Sequence, residues 1–183
     1  MRQHWQYLKY VLRHKWYVFI ECLKLGVPLW IAIFHDWDKF LPSEWIPYSR
    51  YFYGGDYFPS RESHEGYGRP AMLGIHLYTR EEVERDFAIA WNAHQKWNKH
   101  HWQYWMLTWD RGETECLPMP DIYLREMVAD WRGAGKALGT PDTLAWYLKN
   151  KDNIKLHPAT RGHLEYDLGV PSELRTPMPE TRP

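Results

Sequence analysis

The sequence lacks features of a membrane protein, a polyanion-binding protein or a disulfide scaffold. The longest apolar stretch, residues 27–34, is too short to span a bilayer, and the first ten residues have no apolar signal-peptide core. The 23 basic and 23 acidic side chains cancel, whereas coating a polymeric nucleic acid needs a basic excess. Cys22 and Cys116 fit no zinc spacing and are interpreted as reduced thiols. We expect a soluble cytoplasmic protein with neither a membrane nor a polymeric nucleic acid as partner.

Strand patterns are scarce as well, apart from a short hairpin predicted around residues 105–117, so we predict an all-α fold. Helical periodicity and capping residues predict helices at about 3–25, 28–36, 43–53, 79–105, 120–139 and 140–151, with a short one after residue 158. We expect one helical domain over residues 1–170. It contains a long irregular loop or insertion at 54–78 and is followed by a proline-rich extended tail at 171–183.

Aromatic residues and histidines are abundant: the chain has 12 Trp, 13 Tyr and 10 His. The tryptophans are interpreted as packing that holds a helical shell together. Histidine is a frequent metal ligand and proton carrier, so the arrangement of the ten histidines decides whether they form a site.

The pair His35-Asp36 is the sharpest local motif. Adjacent residues within a helix point about 100° apart, but at a helix end both can reach one metal ion or two neighbouring ions. Lys39 follows one turn later, where an ammonium could meet an anionic substrate. The alternative is a helix C-terminus at which His35 and Lys39 complement the helix dipole.

Further histidines lie on other predicted helices. His14 is in the middle of the first helix, where a lone histidine is often a hydrogen-bonded core residue. His94 and His101 are seven residues apart and would share one face of a continuous helix, with His100 as the alternative to His101. These three could instead form a solvated basic stripe.

Asp130 lies among apolar residues, and an acidic side chain needs a partner if it is buried there. Its alternative role is a surface ion pair with Arg125 or Arg132.

In chain order, His14, His35-Asp36, the later histidines and Asp130 resemble the H…HD…D pattern of the HD-domain superfamily of metal-dependent phosphohydrolases. This resemblance implies an HD-like helical bundle whose helices bring the ligands together. Members with one ion use the His, His-Asp and Asp positions. Members with two ions add histidines before the last Asp, where His94 and His100 or His101 fall.

Longer strings resemble an uncharacterised family found in bacteria and their phages. The strings are HKWYVF (14–19), HDWDKF (35–40), NKHHWQYW (98–105), REMVADW (125–131) and HPATR (157–161). This second resemblance implies no substrate.

Together these patterns predict a metal-dependent phosphohydrolase that acts on a nucleotide or another small phosphoester. The expected cofactor is one or two divalent ions (Mn, Fe, Co, Ni or Zn), because a mixed imidazole and carboxylate set suits them better than Mg. Asp36 and Lys39 would be catalytic, with Lys39, Arg125 and Arg132 binding the anionic substrate. Two alternatives stay open: a di-iron oxygenase of the HD type, and a non-catalytic, metal-stabilised interaction protein.

Overall fold

The computed structural model describes residues 2–54 and 78–176, and in them the all-α prediction is confirmed. The helices are α1 (Arg2–Lys24), α2 (Leu29–Phe34), α3 (Pro42–Tyr53), α4 (Arg80–Trp97), α5 (Asp121–Leu138), α6 (Thr143–Asn150) and α7 (Pro158–Asp167). Short 3-10 turns lie at Trp37–Phe40, Trp102–Trp105, Lys151–Asn153 and Ser172–Leu174. The predicted hairpin is present as β1 (Met106–Thr108) and β2 (Thr114–Cys116), which pair antiparallel. Apart from its two end residues, the predicted loop at 54–78 lies outside the described residues.

Helix boundaries follow local signals where these exist. At the start of α4, the Thr79 backbone N–H donates to Glu82 Oε2 at 3.0 Å, and the Glu82 backbone N–H donates to Thr79 Oγ1 at 3.2 Å. This is the reciprocal capping box that the sequence predicts. Helix α5 ends before Gly139, whose φ of 79° is the left-handed conformation that glycine adopts readily.

One boundary prediction is wrong, and it bears on the site. Helix α4 ends at Trp97 and not near residue 105, so His100 and His101 lie in the turn that follows. Side chains hold this turn: Lys96 Nζ donates to the Gln103 carbonyl oxygen and Trp105 Nε1 to that of Lys99. The prediction that His94 and His101 share one face of a continuous helix is therefore wrong.

Contacts divide the chain into two compact units. The first contains the described residues of 1–11 and 37–94, and the second contains those of 12–36 and 95–183. A single domain over residues 1–170 stays a prediction, because a division by contacts does not define independently folding domains.

The first unit has a small aromatic core. Tyr7 and Val11 of α1, Tyr48 of α3 and Ala90 of α4 are buried together. Partly buried aromatic rings from the same segments, including Phe87, pack around them. The first unit therefore depends on aromatic packing between its helices.

The second unit has two cores that meet on α5. The larger one contains Met119, Leu124, Met127, Val128, Tyr147, Ile154, Leu164, Leu168 and Val170. The smaller one joins α1, α2 and α5 through Val18, Cys22, Val27, Ile31, Ala32 and Ala129. Helix α5 is therefore buried on both sides, and its remaining buried side chains are held in defined positions.

The interpretation of the tryptophans as packing is supported in part, because Trp45, Trp91, Trp102, Trp105 and Trp131 are partly buried against the cores. All twelve lie within the described residues, and none of them is fully buried. Trp16, Trp30 and Trp97, for example, are 62%, 62% and 74% exposed. Tyrosine, methionine and aliphatic residues fill the cores instead.

None of the helices in residues 2–54 and 78–176 is both long and apolar enough to cross a membrane.

Helices α1 and α5 pack tightly against each other at Gly133. A Cβ placed there would lie 2.4 Å from Val18 Cγ2, 2.7 Å from Val18 N and 2.9 Å from Val18 Cα. Because two of these atoms are backbone, rotation of a side chain cannot relieve the clash.

We therefore expect Gly133→Ala to lower the free energy of unfolding by about 1–3 kcal/mol, as overpacking does in other cores. This loss should appear in urea or thermal unfolding although alanine favours a helix by about 1 kcal/mol over glycine. Leu138→Ala, at a 64% exposed position on the same helix, is the control and should change stability little. A Gly133→Ala protein as stable as wild type would contradict the tight crossing.

Candidate metal centre

The second unit brings four of the predicted ligands together. His14 lies on α1, one turn before Val18, and Asp130 lies on α5, nearly one turn before Gly133. The two helices run antiparallel, and the side chains of His14 and Asp130 meet where they face each other. His35 ends α2, where its backbone N–H donates to the Ile31 carbonyl oxygen at 2.8 Å.

Asp36 follows in an unusual backbone conformation. Its φ is 52°, in the left-handed region that residues other than glycine, asparagine and aspartate rarely adopt. This conformation turns the chain sharply after α2. Both His35 and Asp36 can then face the same place, which a continuing helix would not allow.

Two imidazole nitrogens and two carboxylate oxygens face one point. His14 Nε2 lies 3.4 Å from Asp36 Oδ2 and 3.2 Å from Asp130 Oδ1. His35 Nε2 lies 3.4 Å and 3.5 Å from the same two oxygens. Each of the four residues therefore offers one ligand atom.

These separations are close to those around a single divalent ion, with the longest, 3.5 Å, slightly above the expected range. Ligand atoms about 2.1 Å from an ion, at octahedral to tetrahedral angles, lie roughly 3.0–3.4 Å apart. His35 Nε2 is buried and makes no hydrogen bond, which is costly for a ring nitrogen unless it binds something else. His14, His35, Asp36 and Asp130 thus form a donor set that suits a transition metal.

The other oxygen of Asp36 faces a second group of histidines. His100 Nε2 lies 3.3 Å from Asp36 Oδ1, and the rings of His100 and His101 are 4.3 Å apart. Asp36, His100 and His101 each offer a ligand atom within 4.8 Å of the others. The two oxygens of Asp36 therefore face two different groups of histidines, and this carboxylate could bridge two ions if both groups held one.

A third carboxylate, Glu126, adjoins both groups. Its Oε1 atom accepts a hydrogen bond from His35 Nδ1 at 3.0 Å and lies 3.4 Å from His100 Nδ1. A carboxylate that holds Nδ1–H directs the opposite nitrogen, Nε2, towards a metal position. Glu126 is therefore placed to orient two candidate ligands.

The carboxylates make this place strongly favourable to positive charge. Burial alone would lower the pKa of His100, but the carboxylates of Asp36 and Glu126 raise it to about 10. Burial alone would raise the pKa of Asp130, but His14 and His35 hold it well below its usual range. The cluster favours a cation, either protons on its histidines or a metal ion.

His94, another predicted ligand, belongs to the first unit. Its Nδ1 lies 3.1 Å from Asp38 Oδ2 and 3.0 Å from Glu44 Oε2, and all three residues are buried. Burial and the neighbouring Asp38 carboxylate raise the pKa of Glu44, although His94 opposes this shift. With carboxylates at Nδ1, Nε2 is the His94 nitrogen that could bind an ion. Its place in a metal site stays a prediction.

The predicted substrate-binding cations have different surroundings. Lys39 is half-buried on the Trp37–Phe40 turn of the first unit. In the second unit, Arg125 donates to the Leu25 and Gly26 carbonyl oxygens and pairs with Asp121, while Arg132 lies 4.0 Å from Glu21. Their roles in substrate binding stay predictions.

Lys15 is a cation that the sequence reasoning did not single out. Its Nζ donates to the carbonyl oxygen of His35, beside the cluster. The only sequence signal for it is its position directly after His14.

A family model matches residues 3–169, nearly the whole chain. The chain belongs to a family of unknown function, DUF5662. This confirms the predicted membership of an uncharacterised family. The comparisons found no curated protein and no solved structure that matches the chain.

Sequence reasoning about this DUF5662 chain missed the role of Glu126. Glu126 precedes Asp130 by four residues on α5, so both side chains share a helix face, and apolar residues flank them. That spacing was the available signal. It does not distinguish a buried pair of acids from an exposed one.

The backbone of Asp36 supports a stability prediction for protein without metal. Asp36→Ala and Asp36→Gly remove the same carboxylate, but a positive φ is unfavourable for alanine and not for glycine. We expect the alanine variant to be less stable than the glycine variant by about 1 kcal/mol in urea unfolding.

Arg85, an exposed residue in the interior of α4, provides the control pair. There the order should reverse, with Arg85→Gly less stable than Arg85→Ala by about 0.5–1 kcal/mol. The same order at both positions would show that Asp36 is not held in a left-handed conformation.

Proposed function

We propose that this protein is a metal-dependent phosphohydrolase of the HD-domain type, acting on a nucleotide or another small phosphoester. The supporting observation is the convergence of His14, His35, Asp36 and Asp130, with nitrogen–oxygen separations of 3.2–3.5 Å. These residues follow the order H…HD…D in the chain, which is the pattern of that superfamily.

In this proposal His14, His35, Asp36 and Asp130 hold one divalent ion. Asp36 Oδ1, His100 and His101 contribute to a second position. A bound divalent ion would polarise a phosphoryl oxygen and activate a water molecule as the nucleophile. The donor set favours Mn, Fe, Co, Ni or Zn over Mg.

The protein residues supply orientation and exclude bulk water. Glu126 keeps a proton on His35 Nδ1, so His35 Nε2 would be free of a proton and able to bind the ion. Burial of the histidines and of Asp36 lowers the local dielectric, which strengthens every charge interaction within the site. Asp130, whose side chain is 13% exposed, is the most solvent-accessible of the four ligands.

Lys39 remains our candidate for the substrate cation, because it follows Asp36 by three residues and a small phosphoester is anionic. Arg125 and Arg132 would have to leave their present partners to take part. Lys15 is a further candidate because its ammonium lies beside the cluster.

The proposal predicts release of phosphate or nucleoside by metal-loaded protein. We expect Asp36→Asn to lower this activity by more than about 100-fold, since even outer-shell partners of a metal cost 10–100-fold. The assay is a panel of nucleotides and small phosphoesters with each of Mn, Fe, Co, Ni and Zn. Asp152→Asn, at an exposed position, is the control and should keep full activity.

Elemental analysis of protein purified without a histidine tag gives an independent result. Protein that binds none of these ions would contradict the proposal. Metal-loaded protein that releases no product from any member of the panel would contradict the hydrolase and leave the oxygenase and the non-catalytic alternatives.

A further inference from the structure

Glu126 is a buried acid that contacts one histidine of each proposed metal subsite. It lies on α5, is 5% exposed, and is absent from the ligand set proposed above. A buried carboxylate is costly unless its partners are well placed. Its partners therefore indicate what it does.

A single oxygen of Glu126 faces two imidazoles. Oε1 lies 3.0 Å from His35 Nδ1 and 3.4 Å from His100 Nδ1, and the two rings are 4.4 Å apart. An ionised carboxylate can only accept hydrogen bonds, so both Nδ1 atoms carry the proton. The tautomer of both rings is thereby set by one oxygen.

The opposite nitrogens of these two rings then reach the two oxygens of Asp36. His35 Nε2 lies 3.4 Å from Oδ2, and His100 Nε2 lies 3.3 Å from Oδ1. Each ring thus connects Glu126 to a different subsite. Displacing the Glu126 oxygen would disturb both subsites at once.

We propose that Glu126 is a positioning residue shared by two metal subsites, because it orients His35 and His100 through one carboxylate oxygen. This inference rests on the proposed metal-binding function. It goes further by stating that both ion sites depend on one residue that is not itself a ligand.

A purely structural role for Glu126 has a different consequence. If the carboxylate only compensated two buried histidines, its removal would destabilise the protein without changing how ions bind to the folded form. Metal affinity, measured on folded protein, separates the two roles.

The experiment is a titration of the metal-free protein with Co²⁺. Binding is measured by calorimetry and by the visible absorption of the bound ion. Wild type should bind two ions. We expect Glu126→Ala to weaken both binding steps by about 10–100-fold, the usual effect of losing an outer-shell partner. The altered ligand orientation should also change the Co²⁺ absorption spectrum.

Glu126→Gln is the conservative variant, because the amide carbonyl oxygen can still accept both hydrogen bonds although the charge is lost. It should restore most of the affinity and the wild-type spectrum, and it carries the test if the alanine variant does not fold. Glu21→Gln is the matched control. Glu21 is also buried in the second unit, but it pairs with Lys24 and Lys136, so both binding steps should stay as in wild type.

Several outcomes would overturn the inference. Two wild-type binding steps in both Glu126 variants would show that Glu126 does not position the ligands. Weakening of only one binding step, or a single ion in wild type, would refute the shared role of Glu126. Wild-type protein that binds no ion would refute the proposed function itself. This result differs from failure of the inference alone, because it is seen in wild type without any substitution.

Discussion

The carboxylate of Asp36 is buried with imidazoles at both of its oxygens, and the second unit is arranged around it. Oδ2 faces His14 and His35, whereas Oδ1 faces His100. Burying a charge at this depth is unfavourable unless partners surround it, so the chain must deliver them from separate segments. The left-handed backbone at Asp36 is part of this requirement, because it turns the carboxylate towards the histidines. A residue in this conformation persists only where its surroundings hold it.

Packing supplies the precision that such a cluster needs. Helices α1 and α5 are in tight contact at Val18 and Gly133, and the side chains of His14 and Asp130 meet across the same pair of helices. Apolar cores on either side of α5 hold that helix in place. Ligand separations of 3.2–3.5 Å are thus a consequence of helix packing, since exposed side chains would not keep them.

Charge gives the same cluster its chemical character. The carboxylates of Asp36 and Glu126 raise the pKa of His100 to about 10, and they would equally favour a divalent cation. Binding of an ion by His100 would displace a proton from that ring, so metal and proton compete there. Glu126 has a distinct part in this arrangement, because it holds ring orientation while Asp36 and Asp130 supply ligand oxygens.

The sequence by itself determined the helical class and most helix boundaries, because periodicity and capping residues are local properties. It also supplied the candidates His14, His35, Asp36 and Asp130, through the order of these residues along the chain. The capping box at Thr79 and the end of α5 before Gly139 are examples. Only the structure showed that α4 ends at Trp97, since the turn is held by bonds from the Lys96 and Trp105 side chains to main-chain oxygens seven and six residues away, and hydrophobic periodicity does not record such bonds. It also decided that Glu126 faces inward, because burial depends on which helices cross, and a helix face is assigned to core or solvent only by its neighbours.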